Sequence, residues 1–334
     1  MTIKTSSWVL QDQQGIDSLE LVEDHPVSTL GDNDVLVKLY AASLNYRDIV
    51  IAKGEPQLLC FTPGVTPGSD GAGIVTEVGC QLPAFQAPSF SDINSGLGQH
   101  LDGTLRSIGT FHESALVSMP SGLSYLEAST LTCSGLTAWN ALFGLAGHAP
   151  RKGSIVLVQG TGGVAIAALQ FALAAGSTVI ATTSSDIKAE RLKSLGAHHV
   201  INYCTNPRWG ETAKSLTRGG KGIDIVVDVG GLSTLPQSFK AVRTDGLIAV
   251  TGMLGKPEDQ AAVPSMMDCL MNVCTARGLL LGTRDQFNEM NKFITDKGIK
   301  PIVDDKVFEF KDAKEAYRYL EQQKHFSKVC IRLE

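Results

Sequence analysis

The sequence predicts an α/β fold whose parallel sheet is covered by helices on both faces, joined to a smaller all-β unit. From residue 123 onward, nearly all-apolar strands alternate with helices, the pattern of a parallel sheet buried on both faces. Before residue 123, glycines and prolines separate short apolar runs, which is typical of strands joined by tight turns. With 334 residues, 43% of them hydrophobic and 19% charged, the chain is long enough for two domains and too apolar for disorder.

The all-β unit is predicted from three apolar runs, at residues 34–40, 73–78 and 109–119. It gives way to a helix near Ser124, which is followed three residues later by Glu127 in the pattern of a capping box. Because the residues that follow are mainly apolar, we expect this helix to continue through Leu142.

The remaining elements alternate along the chain. We predict strands at 154–159, 178–182, 224–229, 247–251 and 279–281, and helices at 164–175, 186–195 and 235–242. Two further helices, at 286–296 and 313–322, lead to a strand at 328–333, and we expect this tail to complete the first domain. The predicted domains are therefore residues 1–122 with 283–334, and residues 123–282.

Composition and charge exclude several classes of protein. The net charge of −5 provides no basic surface for nucleic acid. The N-terminus is too polar for a signal peptide, and glycines and polar residues interrupt the most apolar stretch, so we expect no membrane span. Seven cysteines without regular spacing indicate a reduced chain, for which we expect a cytoplasmic location.

A glycine-rich turn follows the first predicted strand of the second domain, with the sequence Gly160-Thr161-Gly162-Gly163-Val164-Ala165. In a dinucleotide-binding turn the first glycine permits the bend, the second lets the backbone approach a pyrophosphate, and a small third residue lets the helix pack closely. The pyrophosphate then meets the free N–H groups of the helix. The sequence therefore predicts a Rossmann nucleotide site; the alternative is a glycine-rich turn in an α/β protein that binds no nucleotide.

The end of the second strand indicates which nucleotide binds. An NAD site places Asp or Glu about 20 residues after the glycines, where it holds the ribose 2′-hydroxyl. Here that place is taken by Ser184, and Lys188 follows in the first turn of a helix, where a bound 2′-phosphate would balance its charge. Asp186 comes too late and is expected to cap the helix. We therefore predict NADPH, with an ordinary solvated lysine at 188 as the alternative.

The chain resembles the medium-chain dehydrogenase/reductase superfamily, in its zinc-independent quinone oxidoreductase and enoyl reductase branch. The resemblance is carried by residues 41–48, 67–73, 136–139, 160–165, 195–197, 201–203, 229–231 and 328–329. It implies a Rossmann domain beside a GroES-like β-barrel domain. It also implies a homodimer formed through the edge of the Rossmann sheet.

The resemblance further implies roles for individual residues. The catalytic candidates are Asn45, Tyr46 and Thr137. The cofactor-binding candidates are Gly160, Thr161, Gly162, Gly163, Val164, Ser184, Lys188, Tyr203, Gly230, Gly252 and Lys328. Simpler alternatives remain open: a turn residue for Asn45, a half-buried strand-end aromatic for Tyr46, a hydroxyl bonded to its own helix for Thr137, and a surface charge for Lys328.

Zinc is not expected. A catalytic zinc site needs three protein ligands from Cys, His, Asp or Glu, and a structural site needs four. Where zinc-containing relatives have a cysteine and the histidine of Gly-His-Glu, this chain has Asn45 and Ser69. Cys269 and Cys274 are only a pair, which we expect to be buried.

The chain departs from the family pattern after Gly79. The family usually continues with a Gly-Asp-(Arg/Lys)-Val strand, which is missing here: the chain runs through residues 80–88 instead and rejoins the pattern near Leu97. The GroES-like domain is therefore expected to be shortened, with a substrate pocket that is either more open or reshaped by residues 83–100.

These features predict an enzyme that transfers hydride from NADPH to a conjugated carbonyl compound: an enone, an enoyl thioester or a quinone. Without a metal, hydrogen-bond donors must stabilise the developing enolate, and the candidates are Asn45, Tyr46 and a backbone N–H. The substrate is a small molecule, which a carrier could deliver. The alternatives are an NADP-dependent alcohol dehydrogenase or carbonyl reductase, and an NADPH-binding protein without catalysis.

Overall fold

The computed structural model describes residues 3–54, 61–78, 96–252 and 264–334. The chain divides into two compact units. The first unit comprises Met1–Ser134 and Thr283–Glu334, and the second comprises Gly135–Gly282.

The first unit is built mainly of antiparallel strands. Its strands are β1 (Lys4–Leu10), β2 (Leu19–Pro26), β3 (Asp34–Ser43), β4 (Asp70–Val78), β5 (Ile108–His112), β12 (Phe308–Glu309) and β13 (Cys330–Arg332). β1 pairs with β2, while β12, β13, β3 and β4 form one sheet in that order, with β5 also pairing with β3. The C-terminal strand β13 runs antiparallel to β3, with Ile331 opposite Ala42, so the end of the chain is part of this sheet.

The described residues of the first unit form the helices α1 (Tyr46–Lys53), α2 (Tyr125–Ser129), α9 (Arg284–Lys297) and α10 (Ala313–Glu321). The predicted capping box before α2 is present, because the Ser124 N–H donates to Glu127 at 2.7 Å and the Glu127 N–H donates to the Ser124 hydroxyl at 3.3 Å. The first unit extends through Ser134 rather than ending at residue 122, because α2 packs against β3, β4 and β13.

The second unit is a six-stranded parallel sheet with helices, as the alternating apolar strands predicted. In the order β11-β10-β9-β6-β7-β8, the sheet has the Rossmann arrangement. Its strands are β6 (Ile155–Gln159), β7 (Thr178–Thr183), β8 (His199–Asn202), β9 (Ile223–Asp228), β10 (Val242–Val250) and β11 (Thr275–Gly278). Its helices are α3 (Leu136–Phe143), α4 (Gly163–Ala174), α5 (Asp186–Ser194), α6 (Trp209–Ser215), α7 (Leu235–Ala241) and α8 (Met266–Asn272).

Three predicted elements differ from the structure. The strand predicted at 109–119 ends at His112, because a 3-10 turn (Glu113–Ala115) follows it. The helix predicted through Leu142 is divided by a π turn at Leu131–Gly135. The last strand of the second unit lies at Thr275–Gly278 instead of 279–281, where Leu281 has a left-handed φ of 46° that no strand accommodates.

Each unit has its own apolar core. In the first unit the core includes Leu10, Leu39, Ile51 and Tyr317, and in the second it includes Leu157 and Val226. No helix within the described part of the chain has both the length and the apolar character needed to cross a bilayer.

Candidate functional site

The glycine turn lies at the carboxyl end of β6. Gly160 has a φ of +81°, a left-handed conformation that favours glycine, and its N–H donates to Thr182 at 2.9 Å. This bond holds the turn against the end of β7. Gly162 then returns to extended backbone and forms the N-cap of α4.

The start of α4 offers free backbone donors. The Ile166 N–H bonds the Gly162 carbonyl at 3.0 Å, which leaves the amides of Gly163, Val164 and Ala165 without a carbonyl inside the helix. A Cβ at Gly162 would meet no atom within 4 Å, so there is open space beside these amides. Ala165 is buried against the sheet, as a small third residue should be. The turn therefore fits the pyrophosphate of a dinucleotide.

Three further candidates meet at the neighbouring ends of β7 and β8. Ser184 follows β7 directly, and Lys188 lies in the first turn of α5. Tyr203 follows β8, and its N–H donates to Thr183 at 3.0 Å, which brings Tyr203 to the same edge. Ser184 and Tyr203 are exposed and Lys188 is half-buried, so all three are accessible to a ligand at this edge.

Asp186 is the acid near these residues, and its carboxylate is bonded by a neighbouring side chain. The amide of Asn202 donates to Asp186 at 2.7 Å. The expectation that Asp186 caps α5 is wrong, because Ser185 is the N-cap and accepts the Lys188 N–H at 3.4 Å. Asp186 is the first residue of the helix itself, and its carboxylate accepts a hydrogen bond from Asn202 instead of capping the helix.

A buried acid that the sequence analysis missed organises the loop containing Gly230. Asp228 ends β9 fully buried, and its carboxylate accepts four hydrogen bonds. The donors are the Gln159 amide at 3.0 Å, the Ser238 hydroxyl at 2.6 Å, the Gly231 N–H at 2.8 Å and the Thr234 hydroxyl at 2.8 Å. The sequence did contain a sign of this network: each of two apolar strands ends in a polar residue, Gln159 on β6 and Asp228 on β9.

Gly252 follows β10 at the same edge of the sheet. A Cβ there would lie 2.5 Å from the Val229 carbonyl oxygen, so a larger residue would force the two strand ends apart. The Thr251 N–H donates to the Asp228 carbonyl at 2.8 Å and fixes this approach. Gly230 and Gly252 therefore follow adjacent strands at the edge that carries the glycine turn.

Thr137 lies in the first turn of α3, which packs against α4, β9 and β10. Its side chain is buried. Within the described part of the chain its hydroxyl makes no hydrogen bond, so it is not bonded to its own helix. The structure leaves this hydroxyl able to bond a ligand.

In the first unit, Asn45 and Lys328 are parts of one buried polar cluster. The Lys328 side chain is 4% exposed, and Asp70 beside it is 0% exposed. The Lys328 ammonium donates to the Leu44 carbonyl at 2.8 Å, to Asp70 Oδ2 at 3.2 Å and to Asn45 Oδ1. Protein oxygens therefore engage all three ammonium hydrogens. The surface-charge alternative is wrong, because Lys328 is buried with Asn45 and Asp70 inside the first unit, and its contact with a cofactor stays a prediction.

Asp70 holds this cluster together. Besides Lys328, its carboxylate accepts the Ser43 hydroxyl at 3.3 Å, the Ser69 hydroxyl at 3.1 Å and the Cys133 N–H at 3.4 Å. Removing one partner of a buried ion pair costs roughly 3–5 kcal/mol, because the other charge stays buried and unpaired. Asn45 and Lys328 were predicted separately from the sequence, whereas Asp70, which binds Lys328 directly and is linked to Asn45 through Ser69, was missed.

Tyr46 begins α1 and is 45% exposed, more than the half-buried aromatic that was the alternative. Beside it, Asp48 accepts the Asn45 N–H at 2.7 Å. Burial raises the pKa of Asp48 to about 6, against the lowering effect of the Arg47 charge. The Arg47 guanidinium donates to the Leu97 carbonyl at 2.9 Å and to Gln99 at 3.0 Å, which fixes the segment after residue 95. The missing Gly-Asp-(Arg/Lys)-Val strand concerns mainly residues 79–95, which lie outside the described residues.

The residues at this cluster do not fit a zinc ion. Among the described residues no group of three or more His, Cys, Asp or Glu side chains is placed to bind a metal. The cluster instead surrounds an ammonium with an amide oxygen, a carboxylate and a carbonyl. Cys269 and Cys274 are half-buried rather than buried, and burial raises the pKa of Cys274 to about 11.

Comparison with known proteins agrees with this architecture. A model of the alcohol dehydrogenase GroES-like domain matches residues 31–88, and a model described as zinc-binding dehydrogenase matches residues 163–296. A zinc-type alcohol dehydrogenase-like protein of Schizosaccharomyces pombe is 40% identical over 98% of this chain and 99% of its own length.

Two plant reductases are also similar. A 2-methylene-furan-3-one reductase of Solanum lycopersicum is 29% identical over 97% of this chain and 78% of its own length. An NADPH-dependent alkenal/one oxidoreductase of Arabidopsis thaliana is 26% identical over 97% of this chain and 78% of its own length.

Two solved structures of alcohol dehydrogenases are similar to this chain over almost its whole length. A protein of Sinorhizobium meliloti 1021, described as an alcohol dehydrogenase, matches with a TM-score of 0.87 and 32% identity over the full length of both chains. An NAD-dependent alcohol dehydrogenase matches with a TM-score of 0.85 and 30% identity over 98% of this chain and 100% of its own. The chain belongs to the medium-chain dehydrogenase/reductase superfamily of oxidoreductases.

Proposed function

We propose that the protein is an NADPH-dependent reductase that delivers hydride to the β-carbon of a conjugated carbonyl compound without a metal ion. The observation that carries this proposal is the edge of the second unit's sheet. There, three free amides at the start of α4 follow β6, and β6 pairs with β7, the strand that Ser184 and Lys188 follow. Amides of this kind bind a pyrophosphate, and a hydroxyl with a cation favours a phosphorylated ribose.

The preference for NADPH over NADH rests on the residues after β7 and β8. Ser184, Lys188 and Tyr203 supply hydroxyls and a cation, while the nearby Asp186 carboxylate is held by Asn202. One or two charge-assisted hydrogen bonds, at about 1.5–3 kcal/mol each, correspond to a preference of roughly tenfold to a hundredfold or more.

The bound coenzyme supplies the hydride, and the protein must stabilise the negative charge that develops on the substrate's carbonyl oxygen. Asn45 and Tyr46 lie side by side at the start of α1 and both carry hydrogen-bond donors. A well-placed donor to such an oxygen lowers the activation free energy by about 2.7–4 kcal/mol. We assign these two residues as donors, with the Thr137 hydroxyl as a third candidate.

The test is a spectrophotometric screen that follows the loss of reduced-nicotinamide absorbance with enones, enoyl thioesters, quinones, simple ketones and aldehydes. We expect consumption of NADPH with conjugated carbonyls and none with saturated ketones. The plant relatives named for a methylene-furanone and for alkenals and enones make these compounds the first to try. NADPH binding without turnover of any compound would contradict the proposal and identify a protein that binds the nucleotide without catalysis.

A second candidate is reversible reduction of a simple carbonyl to an alcohol, which uses the same coenzyme. The names of the Schizosaccharomyces pombe relative and of both solved structures favour it. Turnover of saturated ketones or aldehydes at rates equal to those of enones would select this activity over the first.

The role of Tyr46 is tested by Tyr46→Phe. We expect turnover to fall about a hundredfold with an unchanged dissociation constant for NADPH, because the hydroxyl acts only on the reacting substrate. Tyr125→Phe is the matched control, since Tyr125 stacks on Tyr40 within the first unit and is expected to leave the rate unchanged. An unaltered rate in Tyr46→Phe removes this hydroxyl from the mechanism.

We also propose that the chain forms a homodimer through β11. This strand lies at one end of the sheet, and α8 before it exposes Met266 at 82% and Met271 at 77%. Exposed apolar patches of this kind mark interfaces. Sedimentation velocity should give a dimer that Met271→Glu dissociates; a wild-type monomer at micromolar concentration would contradict this assembly.

A further inference from the structure

A lysine ammonium lies at the centre of the polar cluster in the first unit. Lys328 comes from the C-terminal tail, and the oxygens around it come from Leu44, Asn45 and Asp70. Protein oxygens accept these hydrogen bonds, because both members of the Lys328–Asp70 pair are almost fully buried. A buried ion pair of this kind stabilises a protein little compared with apolar residues of the same size.

The side chain that Lys328 positions is Asn45. An amide can present either its oxygen or its nitrogen to a neighbour, but an ammonium carries donors only. The bond from Lys328 therefore places Oδ1 toward the ammonium and turns Nδ2 away from it.

Nδ2 of Asn45 is left with one hydrogen to offer. One of its hydrogens is directed at the Ser69 hydroxyl at 3.3 Å, and Ser69 in turn donates to Asp70 at 3.1 Å. Elsewhere in the described residues Nδ2 has no acceptor. The cluster thus holds the amide from both ends and keeps its second N–H available.

We propose that Lys328 is a positioning residue for the reaction: its fixed ammonium orients the Asn45 amide so that Nδ2 donates to the substrate's carbonyl oxygen. Lys328 binds Asn45 directly and is linked to Ser69 through Asp70, so the same cation holds both ends of the amide. This inference rests on the proposed function, in which Asn45 is a donor.

The experiment separates positioning from stability by means of two variants. Lys328→Met leaves Asp70 buried and unpaired, so it should lower both the melting temperature and kcat. Lys328→Met with Asp70→Asn removes both charges and should recover the melting temperature, while kcat stays at least about tenfold below wild type and the dissociation constant for NADPH stays within twofold. Lys324→Met, an exposed lysine of the same tail, is the control. A double variant with wild-type kcat would overturn the proposal.

Dependence on Asn45 is tested by a double-mutant cycle. If Lys328 acts through Asn45, adding Asn45→Ala to the charge-neutral double variant should slow turnover no further. Losses that multiply would overturn the proposal.

A readout without turnover keeps this inference distinct from the proposed function. In protein labelled with ¹⁵N-asparagine, the side-chain amide signals of Asn45 are assigned by their loss in Asn45→Ala. We expect them to shift and to exchange faster with solvent in the charge-neutral double variant. Unchanged signals would overturn the orienting role even if the enzyme reduces enones, and shifted signals in a protein without turnover would locate the failure in the proposed function.

Discussion

At the edge of the second unit's sheet, the candidate groups for the pyrophosphate and the 2′-phosphate come from one stretch of chain, from Gly160 to Tyr203, and many are backbone amides. In the first unit, Asn45, Asp70 and Lys328 come from three distant parts of the sequence, and the Lys328 ammonium bonds the other two side chains. The first arrangement is open and the second is closed. A site built from the backbone follows from local sequence, whereas a site built from side chains depends on how the whole unit folds.

The largest loss of coenzyme affinity is expected when a negative charge is placed beside the backbone amides of the glycine turn. Gly162→Asp introduces a good helix N-cap into open space, so stability should be unchanged or slightly higher. Its carboxylate would repel the pyrophosphate by about 4 kcal/mol at 4 Å and an effective dielectric constant of 20, a loss of roughly a thousandfold in coenzyme affinity. Calorimetry measures this loss.

Gly162→Asn is the matched control, because it caps the helix equally well without the charge. It should weaken binding far less than the aspartate does. Equal affinities in the two variants would mean that no phosphate lies beside this turn.

A pH dependence of stability is expected from Asp48, the buried acid beside the cluster in the first unit. Because burial raises the pKa of Asp48 from 3.8 to about 6, the folded state holds this proton more tightly than the unfolded state. The resulting stability is fully present below pH 4 and is lost as the pH rises through 6. At about 1.36 kcal/mol per pKa unit the loss is roughly 3 kcal/mol.

Urea unfolding at several pH values measures this effect. Asp48→Asn should remove the loss of stability between pH 4 and pH 7, whereas Asp296→Asn, on an exposed helix face, should keep it. Parallel pH profiles for wild type and Asp48→Asn would show that Asp48 ionises as it does in the unfolded chain.

A smaller effect is expected from the cation at the open edge. Lys188→Ala should raise the dissociation constant for NADPH about ten- to a hundredfold and that for NADH less than threefold. Lys193→Ala, in the same helix and paired with Glu190 on its exposed face, is the control. Equal losses for the two coenzymes would remove Lys188 from the 2′-phosphate site.

The comparison also explains how much could be predicted from the sequence. The Rossmann sheet and its glycine turn were predictable because apolar strands, a positive-φ glycine and a helix start are local features. The partners of Lys328 were not, because β13 pairs with β3 only in the folded unit and nothing near Lys328 in the sequence names Asp70. The break between α2 and α3 was missed for a related reason, since Leu131–Gly135 continues the apolar pattern while its backbone forms a π turn.

The most direct test of the account is a calorimetric titration of the purified, folded protein with NADPH and with NADH. The account predicts that NADPH binds one-to-one with each chain and at least tenfold more tightly than NADH. Absence of binding heat for both coenzymes at several temperatures would contradict the assignment of the glycine turn and, with it, the proposed reaction.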